Sequence, residues 1–234
     1  MFESRIFIML MLCFVLVGLL SACDMVTKDL LDDIEDNIED EGGQEKMFTE
    51  RPEWAGVWIK TEGNYDELSD YLSSSDIAGE QDRIQWGNVE ATKGEFDFSA
   101  IGEFLTRARD NDYYYYFVLW TGHHSPEWIY DEGGVPKVYM QEETWAGNDF
   151  HPYYIHENFR TYAKRMFAEL AKYIADLPEG LSERLAFIQP GFGATGDRQL
   201  YKDEPVDSQY EISSDEYVDY MKEMTISFTG EFTK

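Results

Sequence analysis

Residues 113–120 read Tyr-Tyr-Tyr-Tyr-Phe-Val-Leu-Trp, an uninterrupted apolar run. Runs of this kind belong to strands covered on both faces, as in parallel sheets whose crossover helices pack against them. The flanking sequence supports such a sheet. Ala55–Lys60 and Arg83–Trp86 are strand candidates before the run, and Leu185–Gln189 is one after it. Amphipathic stretches alternate with them. A helix is expected around Tyr65–Ser73, and a second over Ser99–Asp110 with Ile101, Phe104, Leu105 and Ala108 on one face. A third over Asn158–Ala175 places Phe159, Tyr162, Ala163, Met166, Phe167, Leu170 and Ile174 at helical spacing. The fourth runs from Ser214 to about Ser227, and its Ser-Ser-Asp-Glu start predicts a capping arrangement. Four repeats of strand then helix predict a parallel α/β domain. A complete (β/α)8 TIM barrel takes about 250 residues, whereas 181 follow position 53. The expectation is a barrel-type fold with only its first four βα units. Strands one and four would then be open edges that call for cover by a partner chain.

The amino terminus predicts export. Residues 1–23 have a polar start carrying Arg5, an apolar run from Ile6 to Leu20, then small residues and Cys23. The run is too short and too near the start for a membrane span, which marks it as a signal segment. Leu20-Ser21-Ala22-Cys23 resembles the bacterial lipobox. That resemblance implies removal of residues 1–22, lipidation of Cys23 and a membrane-anchored lipoprotein on the exported side. Cys13 falls in the removed segment and the Cys23 thiol is consumed by lipid, so no disulfide is expected. Residues 24–53 hold 12 acidic and three basic side chains, a net charge of −9. A run of this charge self-repels and stays extended, which suits a tether spanning 23–53 ahead of a folded domain at 54–234.

Charge and aromatic content narrow the partners. The 234 residues include 47 Asp and Glu against 19 Lys and Arg, a net of −28. Nucleic-acid binding draws on clustered cations, so it is excluded. Aromatic residues make up 16% of the chain, and amphipathic rings suit ligands with apolar faces and polar edges, sugars above all. Adjacent His123 and His124 point to opposite sides of an extended segment, and His151 and His156 lack accompanying acidic or cysteine ligands. Neither a metal nor a cofactor is expected; there is no G-x-x-x-x-G-K-[ST] loop and no G-x-S-x-G elbow.

Two ordered landmarks carry a family resemblance. Trp86-Gly87-Asn88-Val89-Glu90-Ala91-Thr92-Lys93-Gly94-Glu95-Phe96-Asp97-Phe98 resembles the second-strand region of barrel glycoside hydrolases, the family 42 β-galactosidase group above all, although Ala91 replaces the usual proline. After the third strand, Trp120-Thr121-Gly122-His123-His124-Ser125-Pro126-Glu127-Trp128 resembles the P-x-W turn that lines the family's sugar pocket. The glycine-rich stretch Gln189-Pro190-Gly191-Phe192-Gly193-Ala194-Thr195-Gly196-Asp197-Arg198 follows the fourth strand, where related enzymes carry their general acid.

The resemblance implies a glycoside hydrolase acting on β-galactosides or a related oligo- or polysaccharide. Asp197 occupies the position of the acid, with Trp86, Glu90, Trp120, His123, Trp128, Gln189 and Arg198 as sugar contacts. Glycoside hydrolysis needs two carboxyls, about 5–5.5 Å apart for retention or about 6.5–9.5 Å for inversion. The family's nucleophile comes from strand seven, which has no counterpart before Lys234. Weak or absent activity is therefore expected, and a noncatalytic glycan-binding surface lipoprotein is the alternative.

Overall fold

The chain divides into two units, Met1–Pro52 and Glu53–Lys234. The computed structural model describes residues 54–61, 65–72, 74, 76–122, 124–142, 150–194, 199–201 and 203–233, all in the second unit. The expected signal segment, Cys23 and acidic tether lie outside the described residues, as do His123, Asp197 and Arg198.

The main sheet has four strands: β1 (Val57–Lys60), β2 (Ile77–Gln85), β3 (Tyr114–Trp120) and β6 (Leu185–Gly191). They lie in the order β1-β2-β3-β6, every neighbouring pair parallel. Consecutive strands are thus spatial neighbours, the order of four successive βα units in a barrel. The connecting helices are α1 (Tyr65–Leu72), α3 (Ser99–Asp110) and α5 (Glu157–Ala175), with α6 (Ser214–Phe232) following β6. Short helices α2 (Trp86–Val89) and α4 (Trp128–Asp131) begin the loops after β2 and β3. The loop after β3 also carries an antiparallel pair, β4 (Lys137–Tyr139) with β5 (Phe150–Pro152), which the sequence reading did not anticipate.

Right-handed crossovers, the rule for parallel strands, place the helices on one face of such a sheet. Burial follows this arrangement. Along β3 the residues alternate, with Tyr115, Phe117 and Leu119 sealed from solvent and their neighbours half-exposed. Register aligns Tyr115, Phe117 and Leu119 with Glu80, Asp82 and Ile84 of β2, so these six form the helix-facing surface. Ile101 and Leu105 from α3 and Phe159, Met166, Phe167 and Leu170 from α5 complete the core against them. The expectation of a β3 covered on both sides is thus met on one side only. Its second face lacks a packed layer among the described residues, and Phe187 on β6 remains 37% exposed.

The largest departure from expectation is β2, which starts six residues before Arg83 and ends before Trp86. Its first six residues, Ile-Ala-Gly-Glu-Gln-Asp, have no strand-like hydrophobicity. Tertiary pairing supplies what the pattern lacks. Glu80 is fully buried yet accepts hydrogen bonds from Thr61 Oγ1 (2.7 Å), Tyr113 Oη (3.0 Å) and Arg107 Nη2 (2.5 Å). A buried carboxylate is tolerated only when paired in this way. Gly79 permits the close approach of β2 and β3, since a Cβ there would lie 1.9 Å from the Tyr114 carbonyl oxygen. The capping arrangement predicted for the last helix is present: Ser213 Oγ accepts from Glu216 N, and the Glu216 carboxylate accepts from Ser213 N at 2.9 Å.

Candidate functional site at the carboxyl ends of the strands

The face of the sheet opposite the helices is organised in levels by register. Lys60, Gln81, Tyr116 and Phe187 share one level. Arg83, Val118 and Gln189 form the next, and Gln85, Trp120 and Gly191 the last, at the carboxyl ends of the strands. The amino-terminal half is aromatic: Tyr116 stacks on Phe187 with centroids 4.2 Å apart, and Trp58 meets both edge-on. Toward the carboxyl ends the face becomes polar, which is where a parallel sheet presents its ligand-binding loops.

Trp120 is the centre of this mouth. The Arg83 guanidinium lies 4.5 Å from the centroid of its ring, and the His124 ring stacks on it at 4.9 Å with a 10° tilt. Burial, reinforced by the nearby positive charge of Arg83, holds the His124 imidazole below its ordinary pKa. Backbone contacts fix the rim. Thr121 donates from N and Oγ1 to the Gly191 carbonyl at 3.2 and 3.1 Å, tying the end of β3 to β6. Gly87 N donates to the His124 carbonyl at 2.7 Å, which ties the loop after β2 to that after β3. A Cβ on Gly122 would fall 2.1 Å from the Gly193 carbonyl, so the close packing of the two loops requires glycine there.

The two sequence landmarks meet in a separate, closed cluster. Trp86 Nε1 donates to Glu90 Oε2 at 2.8 Å, Gly94 N donates to Glu90 Oε1 at 2.8 Å, and Arg165 of α5 pairs with the same carboxylate. Trp128 Nε1 donates to the Glu90 carbonyl at 2.9 Å, and the two indoles meet edge-on at 6.2 Å. Trp86 and Glu90 are fully buried and Trp128 is nearly so. This cluster is a bracket joining the loops after β2 and β3 to α5. Of the expected sugar contacts, Trp86, Glu90 and Trp128 therefore have little or no surface to offer a ligand, because the W-x-x-x-E spacing turns the indole and carboxylate toward each other. Trp120 and Gln189 instead share the open face, Gln189 one level below Trp120.

Arg83, Gln85 and His124 belong to the same mouth but were not singled out as contacts from the sequence. Their signal was parity: alternate residues of a strand share a face, so 83 and 85 travel together once the register with Trp120 is known. His151 and His156 have structural contacts. His151 is buried with Nδ1 3.3 Å from Tyr154 Oη, and His156 accepts from Asn158 N at the start of α5. Among the described residues no group of three or more His, Cys, Asp or Glu is placed to hold a metal.

The carboxylates of the sheet lie away from the mouth. Glu80 and Asp82 are its only acidic residues, and register puts both on the helix-facing side. Burial, with the neighbouring Glu80 charge adding to it, raises the Asp82 pKa despite a 2.7 Å hydrogen bond from Arg83 N. Burial and Glu80 together push the Tyr113 hydroxyl far above the usual tyrosine range.

No protein-family model matches the chain, and no curated protein matches it. It is similar to solved β-galactosidases from the psychrophile Marinomonas ef1 (17% identity, TM-score 0.41) and the Antarctic haloarchaeon Halorubrum lacusprofundi (19%, TM-score 0.42). Each match covers 58% of this chain, and 21% and 20% respectively of those enzymes, so the matched region spans about a fifth of their length. A GH1 β-glucosidase from Exiguobacterium antarcticum B7 is similar over 78% of this chain and 44% of its own, at 13% identity and TM-score 0.40.

Proposed function

We propose that this domain is a glycoside hydrolase-type unit that engages a carbohydrate at the mouth around Trp120 and, by itself, hydrolyses glycosides weakly or not at all. The composition of the mouth carries the reading: an indole, an imidazole, a guanidinium and the amides of Gln85 and Gln189 gather at the strand ends, with no carboxylate on that face of the four strands. Rings stack on the apolar faces of sugars, and amides serve the hydroxyls. Hydrolysis needs two opposed carboxyls. The acid we assign, on the sequence resemblance, is Asp197, and the substrate class is β-galactosides or a related oligo- or polysaccharide.

Calorimetric titration of the full chain with neutral and acidic β-galacto-oligosaccharides, alongside an aryl-glycoside assay, tests this reading. Saturable binding that is lost in Trp120→Ala, with turnover weak or absent, is the expected result. Failure of every oligosaccharide to bind overturns it. Vigorous turnover abolished by Asp197→Asn would overturn the predicted weak activity while supporting the acid assignment. The second reading, a noncatalytic glycan-binding lipoprotein, is favoured by the absence of a carboxylate from the open face of the four strands, among the described residues, and predicts binding with no turnover of any glycoside.

We also propose that the domain is held at a membrane on the exported side through Cys23 and an acidic tether. Labelling by radioactive palmitate in a bacterial host, lost in Cys23→Ser, is the expected result. The open edges of β1 and β6 are where a partner chain would complete a barrel, and sedimentation of the purified chain reads whether one is recruited.

A further inference from the structure

We infer that the mouth selects a sugar bearing a carboxylate, a uronic acid unit rather than a neutral hexose; this rests on the carbohydrate-binding reading above. The inference comes from how charge is sorted across the sheet. The four strands hold four formally charged residues, Lys60, Glu80, Asp82 and Arg83. Register sends both acids to the helix side and both cations to the open face. In a chain with 47 acidic and 19 basic residues, a ligand face whose strands carry cations alone runs against the composition.

Arg83 stands where it would serve such a ligand. Its guanidinium lies against the Trp120 ring, so a sugar at the Trp120 rim brings a substituent of its own ring within reach of that fork. A guanidinium presents paired N–H donors that match the two oxygens of a carboxylate, and it gives up its hydration more readily than an ammonium does. Gln189 shares the Arg83 level and Gln85 sits one level above, which leaves amides for the hydroxyls. Lys60 lies one level below and adds to the positive potential at the floor of the mouth. The net charge of −28 disfavours a long polyanion spread over the outer surface, so the expected ligand carries its carboxylate on a single ring seated at the mouth.

The test is calorimetric titration of the full chain with matched disaccharide pairs that differ only in a carboxylate or a hydroxymethyl group at C6. The uronate member of a pair is expected to bind at least about tenfold more tightly. That preference should shrink several-fold between low and high salt, as screening of a charge contact requires. In Arg83→Gln the ratio of the two affinities is expected to fall close to one. Equal affinities in the wild-type chain, or a preference untouched by both salt and Arg83→Gln, overturn the inference while leaving carbohydrate binding intact. Absence of binding by either member of every pair overturns both. The wild-type salt dependence decides the matter even if Arg83→Gln does not fold.

Discussion

At the scale of single residues, two buried carboxylates behave differently, and both behaviours can be measured. Glu90 is enclosed with donors from Trp86, Gly94 and Arg165. Removing one partner of a buried ion pair leaves the other charge uncompensated, at a cost of about 3–5 kcal/mol. Glu90→Ala is therefore expected to lower stability by that order in urea unfolding. Asp82 lies on the same side of the sheet, but burial raises its pKa in the folded state. The native protein then holds a proton that the unfolded chain releases, so the stability associated with Asp82 falls as pH rises from about 3.9, the ordinary unfolded value, through the raised one. Asp82→Asn keeps an oxygen for Arg83 N and removes the charge. It is expected to stabilise the fold at neutral pH, with the gain vanishing in acid, and unfolding midpoints at several pH values read this out. The sequence named Glu90 but gave it the wrong surroundings, because spacing tells which residues are near and not which way they turn. Asp82 left no trace in the pattern, since its role depends on contacts made across strands.

The first three connecting helices were legible almost to the residue from their apolar spacing: Ser99–Asp110 was expected and is observed, and the third differs by one position at its start. The last, expected to end near Ser227, starts at its capping box as expected but runs on to Phe232. Strands were legible only where they are apolar. The eight-residue run ending in Trp120 announced β3, whereas the polar half of β2 is held by Thr61, Tyr113 and Arg107, contacts from distant positions. The β4–β5 pair, three residues on each strand, is too short to give a periodic signal. One residue within β2 concentrates the packing requirement of the whole pair. Gly79→Ala would put a methyl group 1.9 Å from the Tyr114 carbonyl oxygen, a distance no rotamer change can relieve because both partners are backbone-fixed. A loss of more than about 2 kcal/mol is expected from the strand displacement that follows, within the usual range for overpacking, with calorimetric unfolding as the measure.

Among the described residues, the order β1-β2-β3-β6 makes β2 and β3 interior strands and β1 and β6 edges. Opening free energy follows burial and pairing, so amide exchange is expected to be slowest in β3 and fastest in β1 and β6. Uniform protection across all four strands in a monomer would contradict the open-edged sheet. The Glu90 bracket also divides the tryptophans by what they can report. Trp86 and Trp128 are tied to a buried carboxylate and its carbonyl, so their emission should stay blue-shifted and unresponsive to added sugar until the fold itself opens. Trp120, half-exposed beside Arg83 and His124, is the indole at the mouth whose surroundings a ligand there changes most, with Trp58 lower on the same face. The buried pair thus serves as an internal standard for folding within the emission of six tryptophans, and the sugar-dependent part that disappears in Trp120→Phe is the probe of occupancy.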